Sequence, residues 1–235
     1  MSSRLSELQR RILDALAPVE LAWTLSGGGA LAGFHLGHRV TDDLDLFLHG
    51  ESALDEAPRV IEGRLRELGF EVAVITRAPS FVRFRVESGG ARVILDLVAD
   101  PVPTVEPPMV MDGVRLDTPH EILVNKLCAL VSRSELRDLE DVRALLEAGG
   151  DLERALGDAP KKDGGFSPMT LAWLLDQLDL ARAPELGFDA ARLERFRTEL
   201  IAHLDPHGPD QPEGPDQPEG PDQPEEPDEP QDPSP

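Results

Sequence analysis

Apolar residues at Leu5, Leu8, Ile12, Leu13 and Leu16 repeat at three- and four-residue spacing, which predicts an amphipathic helix over Met1–Leu16. Leu21 to Leu25 then reads as a short strand, and Gly27, Gly28 and Gly29 follow it. Such a cluster lets the backbone turn sharply into a helix whose first N–H groups can meet a phosphate. From Asp43 to Leu48 the pattern switches to strict alternation, with Leu44, Leu46 and Leu48 on one face of a strand and Asp43 and Asp45 on the other. Glu51 to Leu68 predicts a second helix, irregular near Pro58, and Phe70 to Thr76 alternates like a strand. Phe81–Glu87 and Ala91–Val98 form two more strands joined at Ser88-Gly89-Gly90, a hairpin signal. Met109 to Leu116 predicts a short hairpin around Asp112-Gly113. Thr118, Pro119 and Glu121 then suit the N-cap, N1 and N3 positions of a helix. Helices follow over His120–Val131, Glu135–Glu147, Asp151–Leu156, Pro168–Leu180 and Asp189–Leu204. The class is α+β: a mixed sheet with flanking helices over 1–118, a helical region over 119–204 that completes a cleft, and a tail over 205–235.

The tail changes the reading of the charge. Its 31 residues contain three copies of GPDQPE, a proline at every third position from Pro206 to Pro233, eleven acidic residues and no Lys or Arg. The formal net charge of −22 therefore leaves about −11 for the preceding 204 residues. With no apolar side chain to bury, the tail is expected to be disordered or extended as polyproline II. It is a solubilising spacer, a docking segment for a basic partner, or a mimic that keeps RNA away from a site; the sequence leaves these open. No apolar run reaches the length of about 18 residues that spans a bilayer, and no leader pattern opens the chain. A soluble, reduced, cytoplasmic protein without a membrane partner is expected. Cys128 lies among Leu127, Leu130 and Val131 and reads as a small core residue.

Candidate chemistry starts at the acids. Two carboxylates on one strand face, shortly after a glycine turn, are the layout of a metal-dependent site for a nucleoside triphosphate. Asp96 interrupts the apolar run Val93–Val98, and a buried carboxylate without a partner is costly, so Asp96 should face a cation or a cleft. The alternative is an edge carboxylate near Asp100. Lys126 is one of only three lysines, set in an apolar helix turn. On an unbroken helix Arg133 and Arg137 would fall within about 20° of it, making one cationic stripe suited to a triphosphate. The alternative is salt bridging along a helix surface with Glu135, Asp138, Glu140 and Asp141.

The stretch SGGGALAGFHLGHRVTDDLDLF, from Ser26 to Phe47, resembles the first motif of the AbiEii/AbiGii-type nucleotidyltransferase toxin family, within the DNA polymerase beta-like superfamily. KLCALVSRSELRDLEDV, from Lys126 to Val142, resembles the family's later motif, in the same order and at similar spacing. The likeness covers about Leu21 to Leu146 and is specific in these two motifs. It departs at Gly29, where family members commonly carry Thr or Ser. His38 and Arg39 echo the family's LGHR, with His38 read as a structural residue. The resemblance implies a nucleotidyltransferase-like sheet and transfer of a nucleoside monophosphate from a nucleoside triphosphate to an acceptor hydroxyl. It implies Mg²⁺, with a two-metal site possible, on Asp43, Asp45 and Asp96, and a nucleotide cradle of Ser26, Gly27, Gly28, Gly29, Lys126, Arg133, Arg137, Asp138 and Asp141. Asp43, Asp45, Asp96 and Lys126 would be catalytic. An antitoxin protein and a tRNA or other RNA acceptor are the implied partners. Two alternatives stay open: an enzyme acting on a small cationic acceptor such as an aminoglycoside, which an acidic protein attracts, and a non-catalytic nucleotide-binding module of the same fold.

Overall fold

Helix α1 (Glu7–Leu16) starts at a reciprocal cap: the Gln9 amide N–H donates to Ser6 Oγ at 3.1 Å, and the Ser6 N–H donates to Gln9 Oε1 at 2.8 Å. The computed structural model describes residues 4–49 and 54–205, and α1 is where its core begins. Leu8, Ile12, Leu13 and Leu16 are buried on one helix face, as the spacing predicts. Gln9, itself buried, also donates through Nε2 to the Thr41 carbonyl at 2.9 Å and the Asp43 carbonyl at 3.4 Å. One side chain thus fixes both the helix start and the beginning of the acid-bearing strand.

Seven strands form one mixed sheet: β1 (Trp23–Ser26), β2 (Asp43–His49), β3 (Glu71–Ala78), β4 (Phe81–Ser88), β5 (Ala91–Asp100), β6 (Met109–Met111) and β7 (Val114–Leu116). Their order is β3-β4-β5-β2-β1-β7-β6; β2 pairs with β5 and β1 with β7 in parallel, and the other neighbours are antiparallel. Leu25, Leu44, Leu46, Leu95, Leu97, Val82 and Phe84 make a fully buried face, with α1 and α3 (Ala57–Glu67) supplying Ile12, Leu16, Ile61 and Leu65 to the same core. Alternation places Asp43, Asp45, Arg83, Arg85, Ile94 and Asp96 on the opposite face. A helical turn, α2 (Gly27–Ala30), follows β1 and runs into a π-helical segment over Leu31–His35.

The C-terminal helices are α4 (Pro119–Ser132), α5 (Leu136–Glu147), α6 (Leu152–Lys162), α7 (Pro168–Gln177) and α8 (Ala190–Leu204). Helix α4 is the hub, packing on α5, α6 and α7. It begins as the sequence predicts, with the Glu121 N–H donating to Thr118 Oγ1 at 3.1 Å.

Several boundaries differ from expectation, each for a local reason. The helix expected from Glu51 starts at Ala57, because Pro58 occupies the first turn, where its missing N–H costs nothing; residues 50–53 lie outside the described residues. Helix α6 continues past Leu156 to Lys162, burying Ala155 and Ala159, while α7 stops at Gln177. The helix carrying Lys126 does not run on to Arg137: Arg133 leaves helical geometry at φ −136° and Ser134 turns left-handed at φ +50°. Most of the expected tail, residues 206–235, also lies outside the described residues, as do residues 1–3 of the helix expected from Met1; the observed helix starts at Glu7. Cys128 is half-buried, donates to the Ala159 carbonyl at 3.6 Å, and has its thiol pushed up to about 11 by burial. Among the described residues, no helix is long and apolar enough to cross a membrane.

Gln9→Leu should cost about 1–3 kcal/mol in urea unfolding, because the buried carbonyls of Thr41 and Asp43 lose their donor while the volume is kept. An unchanged midpoint would show that this tie contributes nothing.

Candidate active site

Strand register brings the acids together. Ser26 of β1 lies opposite Asp45 of β2, and Asp45 lies beside Asp96 of β5, so the three positions line up across adjacent strands. Asp43 sits two residues along on the same face and accepts from Thr41 Oγ1 at 2.6 Å. Asp96 is 4% exposed and has a partner: its cross-strand neighbour Arg83 grips it at 2.8 and 2.7 Å through Nε and Nη2. The cation that Asp96 faces is thus a guanidinium, more than a third exposed, which supplies the countercharge from β4. The Asp45 carboxyl is pushed up to about 7, first by burial and then by the like charges of Asp43 and Asp96, with Lys126 and Arg133 pulling the other way.

That repulsion is the observation that makes a divalent cation fit here. A cation between Asp43 and Asp45 would relieve it, and both present oxygen ligands of the kind magnesium takes. No trio of His, Cys, Asp or Glu side chains among the described residues stands ready as a metal cage, and Asp96 is engaged with Arg83.

The glycine turn is tight around these acids. Gly27 has φ +57°, and a Cβ added there would sit 3.1 Å from Asp45 Oδ2. A Cβ on Gly28 would meet Thr41 Oγ1 at 2.9 Å and Arg39 Nη2 at 3.0 Å. Gly29 points elsewhere: its Cβ would meet Leu25 Cδ1 at 3.1 Å and Leu44 Cδ2 at 3.2 Å, both in the apolar core. The Ser26 hydroxyl is buried and hydrogen-bonds the Asp117 carboxyl. Sequence reasoning missed Asp117. Burial pushes its carboxyl up to about 6, with Glu121 adding to the rise and Ser26 opposing it; its backbone N–H donates to the Leu25 carbonyl at 3.0 Å. Nothing in the sequence marks it, because one Asp before a helix cap reads as loop.

The second motif builds a buried ion network. Lys126 Nζ lies 2.7 Å from Asp138 Oδ1 and 2.8 Å from Asp141 Oδ2. Arg133 holds Asp138 in a fork at 2.8 and 2.9 Å. Arg39 holds Asp141 at 2.7 and 2.8 Å, and His38 Nε2 reaches the same carboxylate at 2.7 Å. Both aspartates are fully buried and their carboxyls are held below the usual range, because these hydrogen bonds and positive charges outweigh the burial that would raise them. The surface salt-bridge alternative thus has the partners Asp138 and Asp141 but the wrong setting. Lys126 is raised by the same charges, against burial. An ammonium has three donors, and two are spent here. Arg137 does not share this cluster as a stripe; it is exposed and lines a cavity of about 930 Å³ between residues 36–42, α5 and residues 186–192. Arg39, omitted from the sequence-derived site, faces Asp43 as well as Asp141. The LGHR echo was the signal that could have found it.

Solved structures share this architecture. A candidate nucleotidyltransferase from H. pylori is 20% identical, with a TM-score of 0.58 over 86% of this chain and 98% of that one. The nucleotidyltransferase toxin MenT4 from Mycobacterium tuberculosis is 17% identical, with a TM-score of 0.55 over 84% and 81%. At such identities the likeness defines the fold alone, the mixed sheet with its flanking helices. The family model described as nucleotidyl transferase AbiEii toxin, type IV toxin–antitoxin system, matches residues 11–220. The chain belongs to that family, and it is a nucleotidyltransferase. No curated protein sequence matches it.

Because the Asp45 carboxyl titrates near 7 in the folded chain and near 3.8 in the unfolded one, the unfolded chain loses this proton first, and stability falls as pH rises between those values. Without divalent cations, Asp45→Asn should therefore be more stable than wild type at pH 8, by on the order of 2 kcal/mol, with the gain gone below pH 4. Denaturant titrations at the two pH values check this; equal stabilities at pH 8 would place Asp45 in a solvated, unrepelled setting. Asp138→Ala should cost about 3–5 kcal/mol, since Lys126 loses one buried counterion and Arg133 loses its fork.

Proposed function

We propose that this chain moves a nucleoside monophosphate from a nucleoside triphosphate to a hydroxyl of an RNA acceptor such as tRNA, in a Mg²⁺-dependent reaction, as a toxin restrained by an antitoxin protein. The observation that carries the reading is the convergence of Asp43, Asp45 and Asp96 beside a buried Lys126 with one donor unspent. Magnesium held by Asp43 and Asp45 would neutralise charge on the phosphates, and Asp96, once Arg83 yields its fork, would either assist a second ion or accept the acceptor hydroxyl's proton. Lys126 directs its remaining N–H at the β- and γ-phosphates, and Arg133, about half exposed, adds the outer edge of its guanidinium. Gly27 lets the backbone pass close to the phosphates where any side chain would press on Asp45. The acceptor oxygen then bonds to the α-phosphorus in line with the departing pyrophosphate, and the hydroxyl proton leaves to Asp96 in its proton-accepting role or to solvent. Catalysis is positioning and charge compensation.

An RNA acceptor needs positive charge near the acids, in a chain that is strongly acidic as a whole. The open face supplies it: Arg83 and Arg85 are about half exposed beside Asp96, and Arg85 and Arg92 line a cleft of about 350 Å³ with Ile75, Ile94 and Asp42.

Incubating the protein with Mg²⁺, each labelled nucleoside triphosphate and total RNA should transfer label to RNA. Asp43→Ala or Asp45→Ala should reduce transfer by about 100-fold or more without lowering the melting temperature. Label on a cationic aminoglycoside and not on RNA would move the acceptor to a small molecule. Nucleotide binding with no transfer to either would make the chain a binding module. Lys126→Ala should weaken triphosphate binding more than monophosphate binding, with Lys126→Arg a partial rescue; equal losses would remove Lys126 from the phosphate site.

A further inference from the structure

Arg39 is a fixed cation at the junction of every part of the site. Its side chain is 10% exposed, and its fork closes on Asp141, the carboxylate that also holds Lys126. The same guanidinium comes so close to the glycine turn that a Cβ on Gly28 would lie 3.0 Å from Nη2, and it faces Asp43 across Thr41. Its third nitrogen, Nη1, donates to the Val40 carbonyl at 3.1 Å, which fixes the guanidinium from the loop side. One residue therefore ties the phosphate turn, the first acid and the lysine anchor to a single point.

We propose that Arg39 is a positioning residue that keeps Lys126 available to the triphosphate. The argument is one of charge count. Arg39, Lys126 and Arg133 face Asp138 and Asp141, which leaves the cluster one positive charge in excess for the phosphates. Without Arg39, Asp141 turns to Lys126 for compensation, and the cluster offers a triphosphate no net charge. A monophosphate, which carries less charge and does not extend to Lys126, feels the change far less. The cation site responds in the opposite sense. Asp43 loses a positive neighbour, so a divalent cation binds it more readily. A purely structural role would weaken all three ligands together.

The inference rests on the triphosphate reading of Lys126, and wild type tests that reading separately. If wild type shows no Mg²⁺-dependent triphosphate binding, the proposed function fails and the role of Arg39 falls with it. With wild-type binding established, Arg39→Gln, Arg39→Lys and Arg39→Gln/Asp141→Asn are titrated with ribonucleoside tri- and monophosphates, and with Mn²⁺ alone. Arg39→Gln should weaken triphosphate binding about tenfold, the scale of a lost supporting contact, while monophosphate binding stays within about twofold and Mn²⁺ binding tightens. The double variant, which removes one charge of each sign, should recover most of the triphosphate affinity. Parallel loss of tri- and monophosphate binding, weaker Mn²⁺ binding, or no recovery in the double variant would overturn the proposal. Should Arg39→Gln fail to fold, Arg39→Lys decides: because it keeps the charge, triphosphate affinity within about threefold of wild type supports the charge account, and a loss as large as about tenfold overturns it.

Discussion

Asp138 and Asp141 carry no exposed surface, and a carboxylate in such a place persists only when positive groups and hydrogen bonds replace the water it has lost. Here the replacement comes to α5 from two stretches far apart in the chain: His38 and Arg39 after the glycine turn, and Lys126 and Arg133 on and after α4. Each cation is as dependent on the aspartates as they are on it. Removing any one leaves an uncompensated charge in a dry setting, so the network holds the helical region against the sheet as one unit. This constraint explains why Lys126 can be buried and still stay charged.

The acids on β2 and β5 are arranged by the opposite logic. Strand register sets Asp45 beside Asp96 and two residues from Asp43, and the apolar undersides of Leu44, Leu46, Leu95 and Leu97 prevent the strands from slipping to relieve the crowding. Arg83 neutralises one of the three, and Asp45 is left near the pH at which it takes a proton. The fold therefore holds one satisfied charge cluster next to one unsatisfied cluster. Added positive charge is favourable at the unsatisfied one.

Much of this was legible in sequence because periodicity is local. The alternation over 43–48 gave the face of each aspartate correctly, and the Thr118-Pro119 cap marked the start of α4. The glycine turn and the two-residue acid spacing marked positions that the fold brings together. What could not be read depended on pairings across the sheet or between helices. Arg83 becomes the partner of Asp96 only through β4–β5 register, and Asp117 meets Ser26 only because β7 lies parallel to β1. The proposed stripe from Lys126 to Arg137 assumed an unbroken helix, and Ser134 in the left-handed region breaks it. Arg39 escaped notice for the same reason: its value lies in Asp141, about a hundred residues later in the chain.

The orientation of Gly29 bears on how this family diversifies. The Cβ of a side chain at that position would press on Leu25 and Leu44, so core volume constrains what position 29 can hold. A serine or threonine here would have to bury a hydroxyl against two leucines unless one of them became smaller. Across a lineage, then, position 29 is expected to covary with positions 25 and 44.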